Sequence, residues 1–169
     1  MITDWHLLAK KVGSIKDDGS ESGGTAYAKL ALESILGVEW IYSTVDFILT
    51  NKRGIELALN CLVELESEKA VQYAYQIYKK NTGEIKQDAV WLIRHIAHPC
   101  SFEWVEEFLN DPEVLPLGLA LLDQLLWTEK IQPDSRTEDL LNLAMIKSDG
   151  GLANQVAFIR QYLEKRNEL

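Results

Sequence analysis

The chain has 169 residues, 47% hydrophobic and 25% charged. That is the balance of one globular domain, long enough to bury roughly two-thirds of the surface its extended form would expose. Acidic side chains outnumber basic ones 26 to 17, a formal net charge of −9, so the surface repels phosphate backbones and anionic headgroups and attracts basic partners.

The opening Met1-Ile2-Thr3-Asp4-Trp5-His6 lacks the basic start and apolar run of an export signal, and a cytoplasmic location is expected. Thr3 or Asp4 can cap a first helix to about Val12. Gly13 to Gly24, rich in Gly, Ser and Asp, reads as a flexible loop. Thr25 opens a second helix that stops at Gly37, a natural left-handed C-cap. A third is expected from about Glu39 to Thr50, with Ile41, Val45, Ile48 and Leu49 on one face. Asn51-Lys52-Arg53-Gly54 breaks it, and Ile55 to Leu65 follows as a fourth, with Cys61 placed in its apolar core.

Beyond this point the punctuation becomes regular. Ser67 caps a helix to about Lys80, Thr82 one ending before Pro99, and Ser101 a short one to Leu109. Asp111-Pro112 reads as an N-cap followed by proline at the first helical position, where no amide donor is needed. Ser135-Arg136-Thr137-Glu138 matches a capping box, and Gly150-Gly151 separates that helix from a last one over Leu152 to Arg166. The fold class expected is all-α, about ten helices in a single domain over residues 1–169.

Alternate helices overlay. Ile85, Ala89, Leu92, Ile93 and Ile96 match Val114, Gly118, Leu121, Leu122 and Leu125 at an offset of 29. Leu152, Val156, Ile159 and Leu163 continue at an offset of 38, and Ile55, Leu59, Leu62 and Val63 precede at 30. Such periods, two helices each, are those of an α-solenoid whose neighbours bury one another's apolar faces; a non-repetitive helical bundle is the alternative. Asn110 to Val114, with Gly118, Leu121 and Leu125, looks like the turn and second helix of a HEAT repeat, whereas the first third of the chain fits weakly.

Several chemistries are tested and set aside. His95, His98 and Cys100 have a spacing that could hold zinc, but Pro99 redirects the chain between them. Gly19 to Thr25 has the glycines of a phosphate loop without its lysine or a preceding strand. Cys61 and Cys100 suggest neither a disulfide framework nor a nucleophile. Glu103, Glu106, Glu107, Asp111 and Glu113 form an acidic run without an intervening base, read either as a solvated face or as a docking patch for cations. No catalytic group, metal or cofactor is expected.

The overlay leaves a lateral row outside the core stripe: Asp88, Trp91 and His95 on one helix, Asp123 and Trp127 on the next, Phe158 and Tyr162 on the last. Aromatic side chains stacked in this way suit a protein-binding surface, or they pack between repeats. The candidate partner-binding residues are therefore Asp88, Trp91, His95, Glu103, Glu106, Glu107, Asp123, Trp127 and Tyr162.

With its segments Gly54–Asn60, Ala70–Tyr78, Asp88–Arg94 and Leu121–Trp127, the chain resembles the HEAT-like helical immunity proteins of bacterial contact-dependent growth inhibition and related polymorphic toxin systems. The resemblance implies a small, cytosolic, non-enzymatic protein that covers the active site of a cognate toxin, often a basic nuclease and most plausibly an RNase. It implies no direct contact with nucleic acid, membrane or a small-molecule substrate. Two other readings remain: a HEAT-type scaffold for another protein or peptide, and a HEAT-like DNA glycosylase, which a pI near 4.8 opposes.

Overall fold

A computed structural model describes residues 25–51 and 53–167, together with Leu7 and Lys10. The described residues are all-helical, with no strand among them. Most of the expected first helix and the whole 13–24 loop lie outside them. The helices are α1 (Thr25–Leu36), α2 (Val38–Thr50), α3 (Glu56–Leu65), α4 (Glu68–Lys80), α5 (Gly83–Ile96), a 3-10 turn (Pro99–Trp104), α6 (Val105–Asn110), α7 (Leu115–Trp127), α8 (Ser135–Lys147) and α9 (Ala153–Asn167). The chain divides into two compact units, Met1–Ala70 and Val71–Leu169.

In the first unit, α1 stops where Gly37 takes a φ of +83°, and its amide bonds back to Glu33 O at 3.0 Å. A side chain is costly in that conformation, and glycine is not. Ile41, Val45, Ile48 and Leu62 form the buried floor, as the periodicity predicts. Cys61 is exposed, against the sequence expectation. On a helix as short as α3 only Leu62 reaches the interior; Leu57, Cys61 and Glu64, at i, i+4 and i+7, share the face turned to solvent. Glu33 is buried and accepts hydrogen bonds from Ser67 Oγ and from Lys69 Nζ, the latter at 2.7 Å. Ser67 also caps α4 as expected, its Oγ accepting from Ala70 N at 3.1 Å.

The second unit has alternating neighbours. α5 packs on α7 and α6 on α8, while α6 also packs on α7 and α8 on α9. Ile93, Leu122 and Ile159 are fully buried, with Phe108, Leu109, Leu121, Leu125 and Leu141 around them. Gly118 permits the closest approach, because a Cβ there would stand 2.8 Å from the Phe108 Cβ. Ile85, placed in the core stripe by the overlay, is instead half exposed in the first turn of α5.

Four caps differ from the sequence reading. Thr82 precedes α5 but makes no side-chain cap; the Gly83 amide donates to Glu113 Oε2 at 2.9 Å instead. Ser101 is buried inside the 3-10 turn, with its Oγ donating to His98 O at 2.7 Å. Asp111 ends α6 rather than starting α7, which begins at Leu115 with proline in its first turn. The capping box is real but one residue earlier: Asp134 accepts from the Thr137 amide, and Thr137 Oγ1 accepts from the Asp134 amide. Each slip has one origin. A short polar side chain serves an Asx turn or a 3-10 turn as readily as a helix start.

Candidate functional site

The sequence-derived candidates fall in two places, both within the second unit. The acidic run lies along the 3-10 turn and α6, and its bases arrive from other helices. Tyr75 Oη and Lys79 Nζ of α4 each donate to Glu107 at 2.5 Å. Tyr78 Oη donates to Asp111 Oδ2 at 3.0 Å, which Lys86 Nζ reaches at 2.5 Å. Glu103 faces Arg136 of α8 at 3.2 Å. Glu106 is exposed and forms no ion pair among the described residues.

Aromatic rings close this fastening from behind. Tyr75 stacks on Trp104 with centroids 4.1 Å apart and planes 6° from parallel, and Tyr78 meets Phe108 edge-on at 4.8 Å. The electrostatics follow from the partners. Burial alone would raise Glu107 and Asp111, but the hydrogen bonds from Lys79 and Tyr75, and from Lys86, the Glu113 amide and Tyr78, hold both carboxyls below their ordinary range. Burial and the Glu107 hydrogen bond push the Tyr75 phenol up to about 12. The geometry joins α4 to α6 and leaves Glu107 little freedom to meet a partner.

The lateral row behaves differently. On α5, Trp91 and His95 are half-buried, with ring centroids 4.1 Å apart. The His95 Nδ1 sits 2.8 Å from Trp91 O, a carbonyl that can only accept, so that nitrogen carries the proton. Asp88, one turn back on α5, is half-buried too. On α7 and α9, Tyr162 Oη donates to Asp123 Oδ1 at 3.0 Å. Trp127 and Phe158 flank the Tyr162 ring edge-on, at 5.2 and 5.7 Å. Tyr162 is 9% exposed, whereas Trp127 and Phe158 are 55% and 54% exposed. Two large aromatic side chains therefore stand open to solvent beside the hydrogen-bonded Tyr162.

Two arginines complete this region, and the sequence reading gave neither a role at the surface. Arg166 places its guanidinium 5.8 Å from the Trp127 ring and 5.4 Å from the Tyr162 ring, while donating to Leu126 O and Trp127 O at 2.8 and 2.9 Å. Those carbonyls end α7, where a cation is favoured. The i, i+4, i+8 spacing of Phe158, Tyr162 and Arg166 on α9 was the available signal. Arg94 of α5 acts electrostatically on Asp123, and its Nε is buried without a hydrogen-bond partner among the described residues. Burial raises the Asp123 carboxyl above its ordinary value, and neither the Tyr162 hydrogen bond nor the Arg94 charge reverses it.

Among the described residues no three His, Cys, Asp or Glu side chains are grouped to hold a metal ion. The His98 ring accepts from the Cys100 amide at 3.2 Å. No described helix is long and apolar enough to cross a membrane. No family model, curated protein or solved structure matches the chain.

Proposed function

We propose that this chain is a non-catalytic immunity protein that neutralises a basic toxin, most directly a ribonuclease, by covering its phosphate-holding cleft, and that the second unit is a short HEAT-like stack of helix pairs. The observation carrying the proposal is the open pair Trp127 and Phe158, seated on the Tyr162–Asp123 hydrogen bond. Exposed aromatic rings on a fixed base lose little side-chain freedom on binding and bury much area, which is why such residues dominate interface energetics. The net charge of −9 supplies the second support, since an acidic partner is drawn to a cleft built for phosphate. Trp91, His95 and Asp88 extend the proposed surface on α5. Glu106 remains available for steering, whereas Glu103 and Glu107 face bases of their own.

The test is a nuclease assay on a basic toxin domain encoded beside this chain's gene, with and without an equimolar amount of the protein. Inhibition, with no nuclease activity from this chain alone, supports the proposal. Binding without inhibition favours the alternative, a scaffold that docks another protein or peptide; no binding removes the toxin reading.

A further inference from the structure

We infer that Arg166 is a positioning residue: it holds the Trp127 indole in the orientation this surface presents, without being the group that a partner grips. The partner rests on the proposed function; the positioning rests on the geometry. Trp127 ends α7 and is 55% exposed, so burial alone leaves its two side-chain torsions room to change. Two neighbours from α9 take that room away. The Tyr162 ring stands edge-on to the indole at 5.2 Å, and the Arg166 guanidinium lies 5.8 Å from its centroid.

Arg166 is itself fixed on several sides. Its Nη1 donates to Leu126 O at 2.8 Å and its Nη2 to Trp127 O at 2.9 Å, the last two carbonyls of α7. Glu129 Oε1 stands 3.7 Å from Nη2. A planar fork bound through two nitrogens has little freedom to turn, and a helix C-terminus favours a cation. The same plane sits 5.4 Å from the Tyr162 ring, whose hydroxyl is anchored on Asp123 Oδ1. One guanidinium therefore ties the Trp127 backbone to its own indole. Phe158 supplies the contrast. It is 54% exposed and meets Tyr162 edge-on at 5.7 Å, with no cation over its ring among the described residues. A side chain already held in its bound rotamer gives up less freedom on association, so Arg166 contributes to binding through Trp127 and not through Phe158.

The indole N–H of Trp127 reads this directly. Among the five tryptophans its NMR signal is the one lost in Trp127→Phe, and nitrogen relaxation gives its order parameter. In the free wild-type chain that order should match the α7 backbone, and it should fall in Arg166→Ala. Arg166→Lys keeps the charge at the α7 C-terminus but not the fork, and should restore thermal stability more fully than indole order. Affinity for a candidate basic nuclease domain, sought among the products of genes beside this chain's own, supplies a double-mutant cycle. Arg166→Ala should weaken binding about two- to tenfold, the cost of fixing one side chain on association. It should add little in a Trp127→Ala background and its full factor in Phe158→Ala. Unchanged indole order in Arg166→Ala, or a full further loss on top of Trp127→Ala, overturns the inference. If Arg166→Ala unpicks the end of α9, Arg166→Lys carries the same two readings. Should no such nuclease bind, the toxin reading falls while the indole order still decides the positioning.

Discussion

Two regions of the second unit use the same pair of groups, a tyrosine hydroxyl on a carboxylate, and arrive at opposite electrostatic states. Between α4 and α6, Glu107 and Asp111 each have a lysine at 2.5 Å besides the tyrosine. Burial is outweighed there and both carboxyls are held low. Between α7 and α9, Asp123 has, among the described residues, only the tyrosine within hydrogen-bonding distance and the Arg94 charge acting on it, so burial prevails and the carboxyl is raised. The first region is satisfied internally and encloses its aromatic rings. The second leaves a costly carboxylate beneath two open rings, and groups left imperfectly matched beside exposed aromatics are where a partner has most to gain. The difference separates a fastening from a candidate binding surface.

The largest effect expected breaks both regions at once. Leu122 on α7 is fully buried, and Leu122→Ala should destabilise the fold by roughly 2–5 kcal/mol in denaturant unfolding. Asp111→Ala should follow at about 2–3 kcal/mol, because Tyr78, Lys86 and the Glu113 amide all lose their acceptor. That variant should still bind a partner through α7 and α9 where it remains folded. Trp127→Ala should change stability least, by about 1 kcal/mol, since the half-exposed ring gives up only its edge-on contact with Tyr162 and the Arg166 cation. Equal losses from Asp111→Ala and Trp127→Ala would erase the distinction.

Acid titration sharpens the comparison further. The folded-state pKa of Asp111 lies below its ordinary value of 3.8, so the native state binds its proton more weakly than the unfolded chain. Its stabilisation is complete above that value and is lost as pH falls through the lower folded pKa. The folded-state pKa of Asp123 lies above 3.8, and the sign reverses. The cost of its buried charge is present at neutral pH and is relieved as pH falls from the raised pKa toward 3.8. Relative to Asp111→Asn, the wild type should lose stability on acidification. Relative to Asp123→Asn, it should gain. Chemical unfolding at stepped pH values reads both, and slopes of the same sign would contradict the assignment.

How much of this could be read in the chain depends on range. Gly37, Ser67 and the 3.6-residue stripes of α2 and α7 act within one or two turns, and the sequence places them correctly. Asp111 and Ser135 were misplaced because an acidic or hydroxyl side chain followed by helix-forming residues fits several local turns, and tertiary packing selects among them. The acidic run looked free of bases because Lys79, Lys86 and Arg136 approach it from other helices. Cys61 and Ile85 were assigned to the interior by the company they keep, yet each lies on a helical face that turns outward. The nearness of Trp127 to Phe158 and Tyr162 was legible as an overlay of helical positions. The Tyr162–Asp123 hydrogen bond and the Arg166 cation over the Trp127 ring were not, since each needs side chains far apart in sequence.

The central claim, that α7 and α9 present an aromatic surface to a basic protein, is tested most directly by binding kinetics against a candidate basic nuclease domain, sought among the products of genes beside this chain's own, at two salt concentrations. Glu106→Gln should lower the association rate and its salt dependence, because unpaired surface charge acts on encounter. Trp127→Ala should leave association nearly unchanged and raise the dissociation rate, by about tenfold for each ~1.4 kcal/mol of binding free energy removed. A wild-type dissociation rate in both Trp127→Ala and Phe158→Ala, or association indifferent to salt, would contradict the account.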